Sequence, residues 1–79
     1  MKIAEVNLTG IDPVHESTAV AAGKIVLTAL GSADRVRIAE NDLSEETWAE
    51  FVAYLRRRGV VVKYDHDDGF PIASKEVGR

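Results

Sequence analysis

The densest group of side chains that could bind a ligand lies near the end of the chain. Asp65, His66, Asp67 and Asp68 are consecutive and precede Gly69. Carboxylate oxygens suit hard cations, and a single imidazole suits a transition metal. The group lacks the alternating ligands and distant glutamate of a calcium-binding loop. Neighbouring acids are also typical of a soluble turn. We therefore predict a polar hairpin tip that binds neither metal nor cofactor, with a metal site as the open alternative.

A second group combines a base, an acid and a hydroxyl. His15, Glu16 and Ser17 follow Asp12 and Pro13 by a few positions. Nucleophilic hydrolysis needs such groups to converge in space, but consecutive positions at a helix start point in different directions. An acid followed by proline suits the cap and first position of a helix. We predict that Asp12 caps a helix and that this segment is a polar surface rather than a catalytic triad.

Several classes of chemistry are disfavoured by residues that are missing or dispersed. The 79 residues include no cysteine, which removes thiol nucleophiles, thiolate metal sites and disulfides. The glycines are too dispersed for a phosphate-binding loop. A formal net charge of −3 disfavours non-specific binding to nucleic acid, although three consecutive arginines at residues 56–58 could form a basic patch. We predict no catalytic activity of the chain's own.

Four predicted strands hold these groups in place. Val36 and Ile38 alternate with arginines, which predicts that the two apolar side chains face inward. The β-branched run after the arginines predicts a buried strand that is joined to the last strand by the polar hairpin tip. Because Pro71 has no backbone N–H, we expect the last strand at an edge of the sheet, followed by a tail over residues 75–79. The predicted strands span residues 2–8, 35–40, 60–64 and 70–74.

The first helix is the ambiguous element. Apolar residues at helical spacing predict one long helix over residues 14–30. Gly23 lies inside it and lowers helix stability by about 1 kcal/mol relative to alanine. The alternative therefore ends the helix near Gly23 and makes residues 24–30 a strand. The predicted core stripe of the long helix is Val14, Ala21, Ala22, Ile25, Val26 and Ala29.

The second helix has clear signals at both ends. Ser44 is a good N-cap, and two glutamates follow it where the helix dipole favours acids. Leu43 and Trp48 occupy the positions of a hydrophobic staple. The three arginines suit the negative end of the dipole, and Gly59 suits the left-handed residue that ends a helix. The predicted core face of this helix is Trp48, Phe51, Val52 and Leu55.

The element order is therefore β-α-β-α-β-β in a single domain. It predicts an α+β, two-layer sandwich in which two helices cover one face of a four-stranded mixed sheet, while the other face is free for solvent or binding. No apolar run approaches the ~20 residues that span a bilayer, and Glu5 lies where a signal peptide would be apolar. We expect a cytoplasmic protein that does not bind membranes.

This order and several residues resemble the TusA/SirA-like family of small sulfur-carrier proteins. The segment Thr-Gly-Ile-Asp-Pro at residues 9–13 is similar to the family's Gly-Leu-x-Cys-Pro segment. Residues 53–60 are similar to its second helix running through a glycine into the third strand. The resemblance puts the persulfide-carrying cysteine at or next to Asp12, where no sulfur exists. It therefore implies the fold and a protein-binding surface but not sulfur transfer.

A second resemblance, over about half of the chain, is to STAS-type regulatory domains. Residues 6–11 followed by residues 15–18 are similar to the strand, Ser-Gly turn and Asp-Ser-Ser segment of those domains. This resemblance implies a phosphorylatable hydroxyl at Ser17 or, less directly, at Thr18. It also implies a regulatory function.

Taken together, these features favour a non-catalytic protein-interaction or regulatory module whose partner is another protein. A small inhibitor encoded by a phage or mobile element belongs to this class. One alternative is an accessory subunit of a sulfur-relay or other enzyme complex, and another is a nucleic-acid-binding module that uses the arginines. The predicted binding residues are Asp12, His15, Glu16, Ser17, Asp65, His66, Asp67 and Asp68.

Overall fold

Alternating and helical periodicities produce six elements in the predicted order. The structure is a computed structural model and describes residues 1–76. The predicted β-α-β-α-β-β sandwich, with a four-stranded mixed sheet, is confirmed. Of the predicted tail, Lys75 instead ends the last strand, and residues 77–79 lie outside the described part. The elements are β1 (Ile3–Leu8), α1 (Thr18–Leu30), β2 (Arg35–Asn41), α2 (Glu45–Arg56), β3 (Val60–Asp65) and β4 (Phe70–Lys75).

The last strand is central, so its predicted edge position is wrong. The strand order is β1-β2-β4-β3; β1 and β2 are parallel, and β4 is antiparallel to both β2 and β3. The pairing of β4 with β2 ends at Ile72, opposite Arg37. Pro71 is the next residue and pairs only with Tyr64 of β3. A proline is therefore tolerated here, because the N–H that it lacks would lie at a position where the pairing of β4 with β2 has already ended.

Both helices cover the same face of the sheet. Val36 and Ile38 face inward as predicted, with exposures of 0% and 1%. Their neighbours across the ladders, such as Ala73, share this face. The opposite face carries alternating charged and apolar side chains and is covered by neither helix. The buried core comprises Leu8, Ala19, Ala22, Val26, Leu30, Val36, Ile38, Phe51, Tyr54, Leu55, Val60 and Ala73.

The start of α1 differs from the prediction. Ser17 is the N-cap, and its Oγ accepts a hydrogen bond from the backbone N–H of Val20 at 3.2 Å. Asp12 is not a cap, and Val14 is 72% exposed rather than part of the core. His15 has a φ of +67°, which a helix cannot contain. Serine caps a helix as well as aspartate does. The helix begins after Ser17 and not after Asp12, because none of the residues 12–16 buries a side chain in the core.

The helix continues through Gly23 to Leu30, so the long helix is confirmed and the strand alternative is wrong. Gly23 is buried where α1 meets α2, and a Cβ at this position would overlap the ring of Tyr54. The glycine therefore permits a close helix crossing, which compensates for its poor helix propensity. Ile25 is 38% exposed, so its predicted place in the core stripe is wrong. The buried residues of α1 are Ala19, Ala22, Gly23, Val26 and Leu30.

The second helix follows its predicted boundaries more closely. The Oγ of Ser44 accepts a hydrogen bond from the Thr47 backbone N–H at 3.1 Å, and Gly59 has the expected left-handed φ of +78°. Phe51 and Leu55 are fully buried as predicted, whereas Trp48 and Val52 are only partly buried. The additional core residue of α2 is Tyr54, which contacts Gly23. The helix is therefore rotated, and one side of the predicted core face points towards the edge of the sheet.

Candidate functional site

The two segments predicted to bind a partner lie at the same end of the sheet but at opposite edges. Residues 12–17 follow β1, and residues 65–69 follow β3. The strand order puts β2 and β4 between them. Three strand spacings amount to about 14 Å, and no hydrogen bond or ion pair joins the two segments within residues 1–76. They are two surfaces rather than one site.

The segment after β1 does not assemble a catalytic group. The Ser17 hydroxyl accepts the capping hydrogen bond of α1. Glu16 Oε1 accepts a hydrogen bond from Lys24 Nζ at 2.6 Å, and this bond raises the pKa of Lys24 above its ordinary value. Asp12 and His15 are exposed. No hydrogen bond in the described part of the chain links His15 to the serine or to the acid, so the three groups cannot act in concert in this arrangement.

One carboxylate of the hairpin tip holds the turn together. Asp65 Oδ1 accepts hydrogen bonds from the backbone N–H groups of Asp67 at 2.9 Å and Asp68 at 3.2 Å. Gly69 supplies the left-handed conformation that the turn needs, with a φ of +82°. His66 and Asp67 remain exposed. Across residues 1–76, no three histidine or acidic side chains are grouped so that they could hold a metal ion.

The fourth residue of the tip, Asp68, folds back onto the uncovered face of the sheet. Its carboxylate binds the guanidinium of Arg37 through Nε and, at 3.2 Å, through Nη2. Glu5 lies 3.4 Å from the same guanidinium, which also sits 5.9 Å from the centre of the Phe70 ring. The hydrogen bond to Asp68 raises the pKa of Arg37 above its ordinary value. The outward direction of Arg37 was predictable from strand alternation, but its partners were not.

An apolar groove that the sequence did not predict runs on the helix side of β3. It opens where the first turns of α2 lie above the end of β3, and its polar rim is formed by Asn41 and Glu45. Tyr64, on the outer strand, is 58% exposed. The apolar lining consists of Leu43, Trp48, Val52, Val62, Tyr64 and Pro71.

The backbone of β3 along this groove has a free side. Pro71 faces Tyr64 and cannot donate a ladder bond, whereas the Gly59 carbonyl accepts one from the Glu76 N–H at 2.7 Å. Antiparallel ladders alternate between bonded and non-bonded pairs. In this register, the odd-numbered residues of β3 make the backbone hydrogen bonds to β4. The outward N–H and C=O groups belong to Val60, Val62 and Tyr64.

These outward groups are available because β3 is an edge strand. Its only partner within residues 1–76 is β4. The side chains of Val60, Val62 and Tyr64 lie on the face that carries the helices, and those of Val62 and Tyr64 line the groove. The sequence predicts a buried strand for this run and an edge position for β4. The structure has β3 at the edge and β4 inside the sheet, so the sequence did not predict the groove.

Comparison with known proteins supplies no relative. No protein-family model, no curated protein and no solved structure matches the chain. The resemblances to sulfur-carrier proteins and to STAS-type domains therefore stay predictions. No helix within the described residues is long and apolar enough to cross a membrane.

Proposed function

We propose that this protein is a non-catalytic interaction module that binds another polypeptide along β3 and the groove beside it. One observation carries this proposal: an edge strand with unpaired outward backbone groups lies next to a groove of partly exposed apolar side chains. Trp48, Val52 and Tyr64 form the part of that groove nearest the edge. Surfaces of this type bind extended segments, because the backbone supplies hydrogen bonds and the groove supplies pockets for alternate side chains.

The residues of β3 fit this role. Natural edge strands are usually blunted by charges, prolines or bulges, since an open edge promotes aggregation. β3 begins with three valines, and Lys63 is its only basic residue. Its outward backbone groups belong to residues whose side chains face the groove side. An added strand would therefore bond to the edge and place its own apolar side chains against Trp48 and Val52.

The exposed residues of the hairpin tip, His66 and Asp67, support the proposal at the end of β3. His66 packs the edge of its ring against Tyr64, with 5.0 Å between ring centres. Asp67 is exposed beside it. Charged residues at the rim of an apolar contact chiefly increase the rate of association and the specificity. Of the predicted binding residues 65–68, His66 and Asp67 would therefore act as the rim of this site, whereas Asp65 is engaged in the turn and Asp68 by Arg37.

The segment of residues 12–17 remains a separate candidate surface. Its most exposed apolar side chain is Val14. Asp12, where the sulfur-carrier resemblance places a cysteine, is exposed on the same loop. An accessory role in a sulfur-relay complex would engage this loop rather than the groove. The two surfaces can therefore be tested separately.

Site-specific photo-crosslinking in cells tests the proposal. A benzophenone amino acid would replace Tyr64, with matched positions at Val14 on the loop and Ile3 on β1. All three side chains are exposed, at 58%, 72% and 46%, so the replacements should not disturb the core. We expect a crosslinked polypeptide at Tyr64 and none at Ile3. Products formed only at Val14, or none at any position, would contradict binding at β3.

A further inference from the structure

We propose that the polypeptide bound by β3 is a second copy of this chain. In this arrangement two sheets join through their β3 strands across a two-fold axis and become one continuous sheet. The proposal rests on the proposed function, since it names the partner of the same edge. It follows from three features of that edge: its hydrogen-bond parity, its side-chain pattern and its charges.

Hydrogen-bond parity fixes the register of such a contact. Two copies related by a two-fold axis pair their β3 strands antiparallel, and each strand offers the outward groups of Val60, Val62 and Tyr64. If the axis passes Val62, this residue faces itself, and Val60 faces Tyr64 of the second copy. All three outward residues of each strand then lie in hydrogen-bonded pairs. An isologous contact needs this kind of self-complementarity.

Neighbouring registers are worse. An axis at Lys63 places two lysines directly opposite each other, and like charges in that position are destabilising. An axis at Tyr64 places Val60 opposite residue 68, which lies in the hairpin turn and not in a strand. The register centred on Val62 also places Lys63 opposite Val61, so no like charges meet. An axis at Val61 places Tyr64 opposite Arg58, which lies before the strand. The register centred on Val62 is therefore the one that pairs all three outward residues within β3.

The side chains on the helix side match across the same axis. The pairs Val60–Tyr64, Val62–Val62 and Tyr64–Val60 are all apolar. Tyr64, which is 58% exposed in the single chain, would be covered by the second copy. Trp48 and Val52 of both copies would line one merged groove. Burial of apolar area that is exposed in the single chain is the main source of stability for such an interface.

The charges of α2 add complementarity. Glu45, Ala49, Val52 and Arg56 follow one another at spacings of four, three and four, which places them on one stripe of the helix. Glu45 lines the groove beside Val62, and Arg56 lines a depression shared with Val61 and Lys63 at the same edge. An antiparallel two-fold brings the start of one α2 towards the end of the other. Each glutamate would then face the arginine of the second copy.

The ends of the strands repeat this complementarity. The acidic hairpin tip follows β3, whereas Arg56 to Arg58 precede it. Arg58 lies over the Tyr54 ring and Arg57 faces α1, so Arg56 is the arginine of this group at the edge of β3. Antiparallel pairing therefore brings Arg56 of one copy towards the exposed Asp67 of the other, at two symmetry-related places. Such contacts contribute mainly to orientation and specificity. A segment from an unrelated protein would have no reason to match both ends.

The first experiment measures mass and affinity in solution. Sedimentation velocity of the purified chain should give twice the 8.6 kDa chain mass at high concentration, with a concentration-dependent shift of the emission of Trp48, the single tryptophan. Tyr64→Lys should raise the dimer dissociation constant about tenfold or more. Ile3→Lys changes an exposed apolar residue on the other edge strand and should leave it unchanged. Circular dichroism would confirm that both variants keep the fold.

The second experiment tests the register. Because the chain has no cysteine, a Val62→Cys variant can form only an intermolecular disulfide. Directly opposed Cα atoms in a bonded pair lie about 5.5 Å apart, within the range of a disulfide. We expect rapid oxidation to a covalent dimer for Val62→Cys and not for Ile3→Cys. Failure of Val62→Cys to cross-link would overturn the proposed pairing.

The outcomes separate this proposal from the more general one. A chain that is monomeric at every concentration, with Tyr64 crosslinked in cells to a different protein, overturns self-association and leaves the proposed function in place. A monomeric chain with no crosslink at Tyr64 removes both. A dimer that Tyr64→Lys leaves intact shows that the copies meet elsewhere and also overturns the proposal.

Discussion

The two edges of this sheet are built differently. On the β1 edge, the pairing with β2 shifts register between Val6 and Asn7. Asn7 donates a hydrogen bond to Glu40 at 2.8 Å, and Glu5 contacts Arg37. The extra residue, Ala39, belongs to β2, and a residue of this kind bends its strand and increases the local twist. The β1 side of the sheet is therefore irregular and is tied to β2 by side-chain contacts.

The β3 edge has no such irregularity, and its charged residues, Lys63 and Asp65, alternate with the groove-side residues Val62 and Tyr64. Its strand is regular over the whole register from Val60 to Asp65, and the groove beside it is apolar. The helices differ in the same way, because the backbone of α1 closely approaches β1, β2 and β4, whereas that of α2 approaches only β3 among the strands. β3 is therefore covered by a helix that approaches no second strand, and Trp48 and Val52 of that helix stay partly exposed beside it.

The largest expected effect separates the two sides of α2. Phe51 is fully buried, whereas Val52 faces the groove. Phe51→Ala should reduce the free energy of unfolding by about 3–5 kcal/mol, and Val52→Ala by about 1 kcal/mol or less. Urea denaturation at a concentration where the chain is monomeric measures both values. Equal losses would mean that the groove is closed and that the two edges do not differ as described.

The next effect concerns the crossing that joins the β1 half of the molecule to the β3 half. Glycine to alanine inside a helix normally stabilises it by about 1 kcal/mol. At Gly23 the sign should reverse, because the new Cβ meets the Tyr54 ring and overpacking costs about 1–3 kcal/mol. Thermal melts would show a lower Tm for Gly23→Ala. In a Tyr54→Leu background, Gly23→Ala should lower the Tm by less than it does in the wild-type chain. An equal decrease in both backgrounds would show that the steric cause is wrong.

The N-caps of the two helices should contribute about equally to stability, and each contributes less than the effects above. Ser17 and Ser44 cap the two helices with hydrogen bonds of 3.2 and 3.1 Å. Each serine-to-alanine change should cost about 1 kcal/mol. Asp12→Ala should have almost no effect, although the sequence favoured that residue as the cap. Denaturation curves for the three variants check this, and a large loss for Asp12→Ala would restore the earlier helix start.

The parts of the fold that sequence could predict are those with local causes. Ser44 and Gly59 mark the ends of α2 because capping depends on neighbouring backbone groups. Val36 and Ile38 face inward because strand alternation is local too. The order of strands is not local: Pro71 suggested an edge, and only the register of β4 with β2 shows that its missing N–H needs no partner there.

The candidate site was harder to predict for the same reason. The hairpin acids were identified as exposed polar residues, but their tie to Arg37 joins residues 31 positions apart. Trp48 and Val52 follow the helical period of a core stripe, and only the rotation of α2 about Tyr54 moves them to the edge. The groove depends on which strand is outermost. Pattern alone cannot supply that information.

The smallest expected effect tests the β1 side of the molecule, where Glu16 and Lys24 tie the loop to α1. The hydrogen bond and the charge of Glu16 raise the pKa of Lys24. A raised folded-state pKa stabilises the fold while the lysine is charged, and the contribution disappears as the pH rises through that pKa. Glu16→Gln should therefore lower the pKa of Lys24 in an NMR titration of its side chain. The stability difference from wild type should be small at neutral pH, since both groups are solvated, and should vanish at strongly alkaline pH. Glu46→Gln, which removes a carboxylate from α2, serves as the control and should leave Lys24 unchanged. An unaltered pKa of Lys24 in Glu16→Gln would show that the loop is not held by this pair.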